Sequence, residues 1–154
     1  MRITKIKLTK DDKIHVAYEK AAERGWDEYT FTCSEKPRPE LYGVLKDLDV
    51  HVADICELPA DYSERITVKG VTFSYGGEAE VMGATITAQM ELESSNCPLN
   101  LNTPHKASES YSEAPADEKQ LLSDDCIIAL DDLVDEIERY IQGDRAQQTL
   151  FAVK

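Results

Sequence analysis

At 154 residues and 42% hydrophobic content, the chain can bury one core but is too short for two ordinary domains. Its 17 Lys+Arg against 30 Asp+Glu leave a net charge of −13, which argues against a sequence-independent grip on nucleic-acid phosphates by the surface as a whole. The cysteines at 33, 56, 97 and 126 form no Cys-x-x-Cys pair, so neither a zinc knuckle nor a dithiol redox motif is indicated, and they read as reduced thiols. Neither a signal-peptide core nor a run long enough to span a bilayer is present, so a soluble, cytoplasmic protein is expected.

Residues 2–8 alternate Ile6 and Leu8 with lysines, the period of a strand, and Lys10-Asp11-Asp12 supplies a turn. Ile14, Val16 and Tyr18 continue on a second strand, and Tyr29, Phe31 and Cys33 mark a third. Pro39 suits a first helical turn. Leu41, Val44, Leu45, Leu48, Val52, Ile55 and Cys56 then recur at three- and four-residue steps, predicting one amphipathic helix that Pro59 ends. Residues 64–75 and 80–92 are the most strand-like part of the chain. Between them Tyr75-Gly76-Gly77-Glu78 offers a tight reversal, and a change of parity near Gly70 predicts a bulge.

From Glu93 to Lys119 no periodicity is evident, so a long functional loop or linker is expected there. Leu122, Cys126, Ile127, Leu130, Leu133, Val134, Ile137 and Ile141 then trace a second amphipathic helix whose other positions are largely Asp and Glu, with Gly143 as its C-cap. The acidity is concentrated late: residues 107–154 hold 4 Lys+Arg against 12 Asp+Glu.

The order β-β-β-α-β-β predicts an α+β fold, a five-stranded antiparallel sheet with a C-terminal amphipathic helix. An OB-like barrel is the alternative, because its order is the same. The expected organisation is a domain over 1–106 with its long loop, an acidic linker and helix over 107–143, and a flexible tail over 144–154.

No enzyme is expected. The histidines at 15, 51 and 105 fall on three different predicted elements, no metal-ligand spacing is present, and no glycine-rich loop precedes a helix, so no metal and no cofactor is predicted. A pocket joining His105 to two carboxylates would reopen the question. For nucleic acid, Lys5, Lys7, Lys13, Arg65 and Lys69 lie near Tyr18, Trp26, Tyr29, Phe31, Phe73 and Tyr75 in sequence. Basic and aromatic residues together are what a single-strand stacking platform needs, and Trp26 joins the five basic residues as a possible contact; the same aromatics on the inner face would instead form the core. An acidic surface imitating nucleic acid and occupying a DNA-binding site is a third possibility.

One stretch carries a specific signal. Gln147-Gln148-Thr149-Leu150-Phe151 resembles the pentapeptide by which bacterial replication and repair proteins dock on the sliding clamp, whose pattern is Gln, Leu, Ser or Asp, Leu, Phe. The resemblance implies that Leu150 and Phe151 enter an apolar pocket while Gln147 hydrogen-bonds at its rim. Gln148 stands where Leu is usual, which implies a weaker ligand; alternatively Thr149 to Val153 forms a short edge strand or folds back on the core. In addition, Gly70-Val71-Thr72-Phe73-Ser74-Tyr75-Gly76-Gly77 and Leu101-Asn102-Thr103-Pro104-His105-Lys106 are similar to stretches in small acidic proteins of phages and prophages of Gram-positive bacteria. That likeness implies a phage setting in a bacterial host cell and no particular activity. Together these features predict a non-enzymatic replication or recombination accessory protein that docks on the host sliding clamp through its C-terminal tail; the alternatives are a binder of single-stranded DNA with an OB-like body and an acidic, DNA-mimicking inhibitory protein.

Overall fold

The computed structural model describes residues 1–110 and 117–146. Strands β1 (Arg2–Leu8), β2 (Ile14–Ala21) and β3 (Trp26–Cys33) form an antiparallel meander, followed by helices α1 (Pro39–Lys46) and α2 (Asp49–Ile55). Strands β4 (Ile66–Gly76) and β5 (Val81–Met90) make the long hairpin, then come β6 (Leu99–Asn102), β7 (Lys106–Ala107) and helix α3 (Asp124–Ile141). The sheet order is β3-β2-β1-β4-β5-β6, with β7 also pairing β5. The fold is α+β, as expected, but the sheet has seven strands rather than five. It is also open, with β3 at one edge and β6 at the other, so it is not closed into a barrel.

The missed strands lie in the segment expected as a loop. Leu99–Asn102 pairs with residues 87–90 of β5, and Lys106–Ala107 with Ala84 and Gly83. Four residues containing two asparagines carry little strand propensity of their own; the free edge of β5 supplies the template. Where the edge leaves its ladder, buried Thr103 takes over: its N–H donates to the Ile86 carbonyl and its Oγ1 accepts from the Ile86 N–H, both at 2.9 Å.

All three α-helices lie on one side of the sheet. Ile3, Ile6, Ile14, Val16, Val71 and Ile86 face Leu41, Leu45, Val52, Leu130, Leu133 and Ile137 in a single buried cluster. Removing this surface from water is the main force holding the two layers together. The single helix expected over 41–56 is two, because a Leu48 N–H to Leu45 carbonyl bond of 3.2 Å tightens the turn between them, a local 3-10 closure. Leu45, Leu48 and Val52 all stay buried across that turn.

The bulge expected near Gly70 is present, since the β4–β5 register shifts between Val68 and Gly70. Gly70 also sits against β1 so closely that a Cβ there would lie 2.5 Å from the Ile6 carbonyl oxygen and 3.2 Å from the Lys7 Cα. At α3, Ser123 caps the N-terminus by accepting from the Cys126 N–H at 3.2 Å, and Asp124 and Asp125 complement the helix dipole. Gly143, at φ +95°, turns the chain beyond it. Among the described residues no helix is long and apolar enough to cross a membrane.

Candidate functional site

Because successive strand residues point to opposite faces, burying Ile6, Val16, Val71 and Ile86 under the helices assigns their neighbours to the other face. Cross-strand rows there read Thr32, His15, Lys7, Gly70, Thr87 and Asn102, and then Thr30, Ala17, Lys5, Thr72 and Thr85. Side-chain bonds link several of them. His15 Nδ1 and Thr32 Oγ1 are 2.9 Å apart, Thr87 Oγ1 donates to Asn102 Oδ1 at 3.1 Å, and Gln89 Nε2 donates to Asn100 Oδ1 at 3.2 Å. The face is thus hydroxyl- and amide-rich, and among the described residues no α-helix lies over it.

Of the six residues proposed for nucleic-acid contact, four share this face. Lys5 and Lys7 come from the central strand β1, Lys13 enters β2 at the same parity, and Lys69 is the extra residue of the β4 bulge. Lys69 lines a cleft of about 430 Å³ with Thr67 and Gln89. None of the four is within ion-pair distance of a carboxylate among the described residues; the ion pairs there are all made by arginines. Trp26 and Arg65 lie at opposite ends of the sheet. The Arg2 guanidinium covers Trp26 at 3.8 Å from the ring centroid and is itself paired with Glu19 at 3.0 Å and Glu80 at 3.1 Å. Arg65 stacks on Tyr62 at 4.2 Å.

The aromatics do not join the lysines. Phe73 is buried, Phe31 stacks on buried Tyr140 of α3 at 6.2 Å, and Tyr18 stacks on Tyr29 at 5.2 Å, all on the helical side. Tyr75 turns its hydroxyl to the Ile3 carbonyl at 2.7 Å.

Two further groupings join residues that no spacing in the sequence links. The interruption between β6 and β7 lays His105 over Gly83, with its Nε2 2.7 Å from Ser74 Oγ; a Cβ on Gly83 would come within 2.5 Å of that nitrogen. His105 also lines a cleft of about 610 Å³ together with His51, Asp54, Glu57 and Glu118. The lining joins His105 to carboxylates, yet among the described residues no acid group accepts from its Nδ1 and no set of His, Cys, Asp or Glu could hold a metal. A serine–histidine pair lacking an orienting acid has only part of a nucleophilic triad.

The second grouping surrounds Cys33 at the end of β3. Its thiol is held below its ordinary pKa first by the Tyr140 hydroxyl, then by the Glu35 amide and the Arg145 guanidinium, against an upward push from burial. Tyr140 already donates its single hydroxyl hydrogen to the Glu35 carbonyl at 2.5 Å. The Glu35 N–H at 3.4 Å and the Arg145 guanidinium at 3.5 Å are therefore what remain to stabilise a thiolate. Arg145 also pairs with the Glu35 carboxylate and lies over the Tyr140 ring.

Gln147, Leu150 and Phe151 lie outside the described residues. Compared with protein-family models, curated proteins and solved structures, the chain matches none.

Proposed function

We propose that the chain is a non-enzymatic accessory protein of phage DNA replication or recombination that holds single-stranded nucleic acid against the uncovered face of its sheet. The observation that carries this reading is the gathering of Lys5, Lys7, Lys13 and Lys69, none of them ion-paired among the described residues, on that face. The acidic helix lies on the opposite side. Lysines engage phosphates without regard to sequence, while threonine hydroxyls and asparagine amides hydrogen-bond phosphate and sugar oxygens. Trp26, at the end of the track, already carries the Arg2 guanidinium over its ring, so the lysines rather than stacking carry this reading.

The test is fluorescence anisotropy with a labelled oligothymidylate. Four phosphate contacts predict a slope of roughly −3 in log K against log salt. Replacing Lys5, Lys7, Lys13 and Lys69 by Ala should abolish most of the binding and flatten that slope. Equal affinity of the wild type and the fourfold variant would sink the reading.

A second reading rests on the pentapeptide. We infer that Gln147, Leu150 and Phe151 dock on the host sliding clamp, with each apolar anchor contributing on the order of 2 kcal/mol. Purified clamp should retain the wild type and release the Leu150→Ala/Phe151→Ala variant; equal retention of both rules out docking by this segment.

A further inference from the structure

β3 is the sheet's long free edge. It spans eight residues without a proline, and among the described residues no strand pairs with its far side. Asp27, Glu28, Tyr29, Thr30 and Thr32 are exposed, Tyr29 at 43%. Proteins blunt such an edge by shortening it, bulging it or placing lysine or proline on it. β3 has none of these: its ladder with β2 runs from Ala21/Trp26 to Ile14/Cys33 without a shift, and no basic residue lies on it. Its two charges, Asp27 and Glu28, sit together near one end. They restrict the register of an incoming strand without closing the edge.

We infer that this edge pairs with the β3 edge of a second copy of the chain, antiparallel, about a two-fold axis that passes beside Thr30 perpendicular to the sheet.

Hydrogen-bond phase, charge and side-chain parity select that register. The Ala22 N–H donates to the Gly25 carbonyl at 3.0 Å, and bonded pairs alternate along an antiparallel ladder. Asp27, Tyr29, Phe31 and Cys33 therefore bond to β2, while Glu28, Thr30 and Thr32 turn their N–H and C=O groups outward. An axis at Thr30 sets Thr30 against itself and Glu28 against Thr32 of the second copy, so the bonded pairs join outward-facing residues.

Neighbouring axes do worse. One at Glu28 opposes the two glutamates directly, and one at Tyr29 leaves them diagonal, about 7 Å apart. One at Phe31 keeps only Thr30 and Thr32 in bonded pairs. With the axis at Thr30 the glutamates stand four positions apart along the strand, about 14 Å, and each acid faces an uncharged residue, Glu28 a threonine and Asp27 Cys33. On the helical side the same register sets Tyr29 opposite Phe31 of the second copy, an aromatic cross-strand pair that covers the exposed ring.

The two-fold keeps the helices of both copies on one side and both uncovered faces on the other. The row Thr85, Thr72, Lys5, Ala17 and Thr30 then runs into the same row of the second copy in reverse order, with the two Lys5 residues five strand spacings, about 24 Å, apart. That continuous track matters only if the nucleic-acid reading holds; the pairing itself does not depend on it.

Seven residues of edge bury less than the about 1,200 Å² of a standard interface, so the dimer is concentration-dependent. In sedimentation equilibrium the mass of the full chain should rise from monomer toward dimer between on the order of 10 μM and 1 mM. Thr30→Pro removes the N–H that faces the axis and no bond to β2, and should stay monomeric throughout; Thr30→Asp, which sets two carboxylates on the axis, should do the same without altering the backbone. A monomeric wild type at the highest concentration overturns the proposal, and so does a dimer that both variants retain, because another surface then joins the copies. Slow amide exchange at Thr30 and Thr32 in a chain that stays monomeric also overturns it, since the edge is then covered within one copy. For the register, the Cα atoms of a bonded pair lie about 5.5 Å apart, within disulfide range. In the Cys97→Ser background, mild oxidation should join Thr30→Cys to itself between copies and leave Glu28→Cys unjoined; equal joining, or none from either, overturns the register. None of these readouts uses nucleic acid, so failure of the pairing is distinct from failure of the binding reading.

Discussion

Two thiols on the helical side of the sheet show how environment divides one residue type. Cys33 is half-buried beside an amide and a guanidinium that favour its thiolate, whereas Cys126 is 1% exposed and burial pushes its pKa up to about 11. Thiolates are the reactive species, so Arg145→Ala should move the pH midpoint of Cys33 alkylation by iodoacetamide upward. An unmoved midpoint means that the guanidinium does not act on the sulfur. Cys126 has the opposite sign. In the unfolded chain its thiol ionises near 9.0, while in the folded chain it stays protonated to about 11. Stability is therefore lost as pH rises through that window, by on the order of 2 kcal/mol. Urea midpoints at pH 8.5 and 10.5 should fall more for the wild type than for Cys126→Ala; parallel declines would show that the burial of this thiol is not responsible.

At the scale of elements, α3 separates capping from packing. Ser123→Ala removes one cap bond and should cost about 1 kcal/mol, whereas Leu130→Ala empties a fully buried site and should cost about 3 kcal/mol. Urea unfolding measures both, and equal losses would contradict the division. This helix was legible in advance because its apolar residues recur at helical spacing and Gly143 marks its end. Strands β1 to β5 were legible from period-two alternation, and the bulge from its change of parity at Gly70. What local pattern cannot carry is structure imposed from elsewhere. β6 and β7 exist because β5 has a free edge, and the helix divides at Leu48 because a 3-10 closure swings α2 while keeping Leu48 in the core. The candidate site was half legible for a related reason. Lysines and aromatics interleaved at period two look like a mixed surface, yet that period is what sends them to opposite faces. The Ser74–His105 pair and the Cys33–Arg145 contact join residues 31 and 112 positions apart, and no spacing rule announces either.

Across the whole molecule, the charge of −13 is unevenly placed. Asp131, Asp132 and Asp135 are exposed on α3; burial, and then repulsion from Asp135 and Asp132, holds the Asp131 carboxyl above its ordinary pKa. Between these carboxylates and the lysine-bearing face lie the body of a helix, about 10 Å across with its side chains, and the sheet itself. That separation exceeds the Debye length of about 8 Å at 0.15 M salt but falls within the length of about 30 Å at 0.01 M. The acidic helix should therefore oppose nucleic-acid binding only when screening is weak. Replacing all three aspartates by Asn should strengthen oligothymidylate binding at 0.01 M salt and leave it unchanged at 0.15 M, while Lys5→Ala/Lys7→Ala should weaken binding at both. Because α3 supplies Leu130, Leu133 and Ile137 to the core, charge neutralisation tests this where truncation would unfold the protein. If the Asn variant gains equally at both salt concentrations, the carboxylates and the nucleic acid are in direct contact, and the ligand lies on the helical side rather than along the uncovered strands.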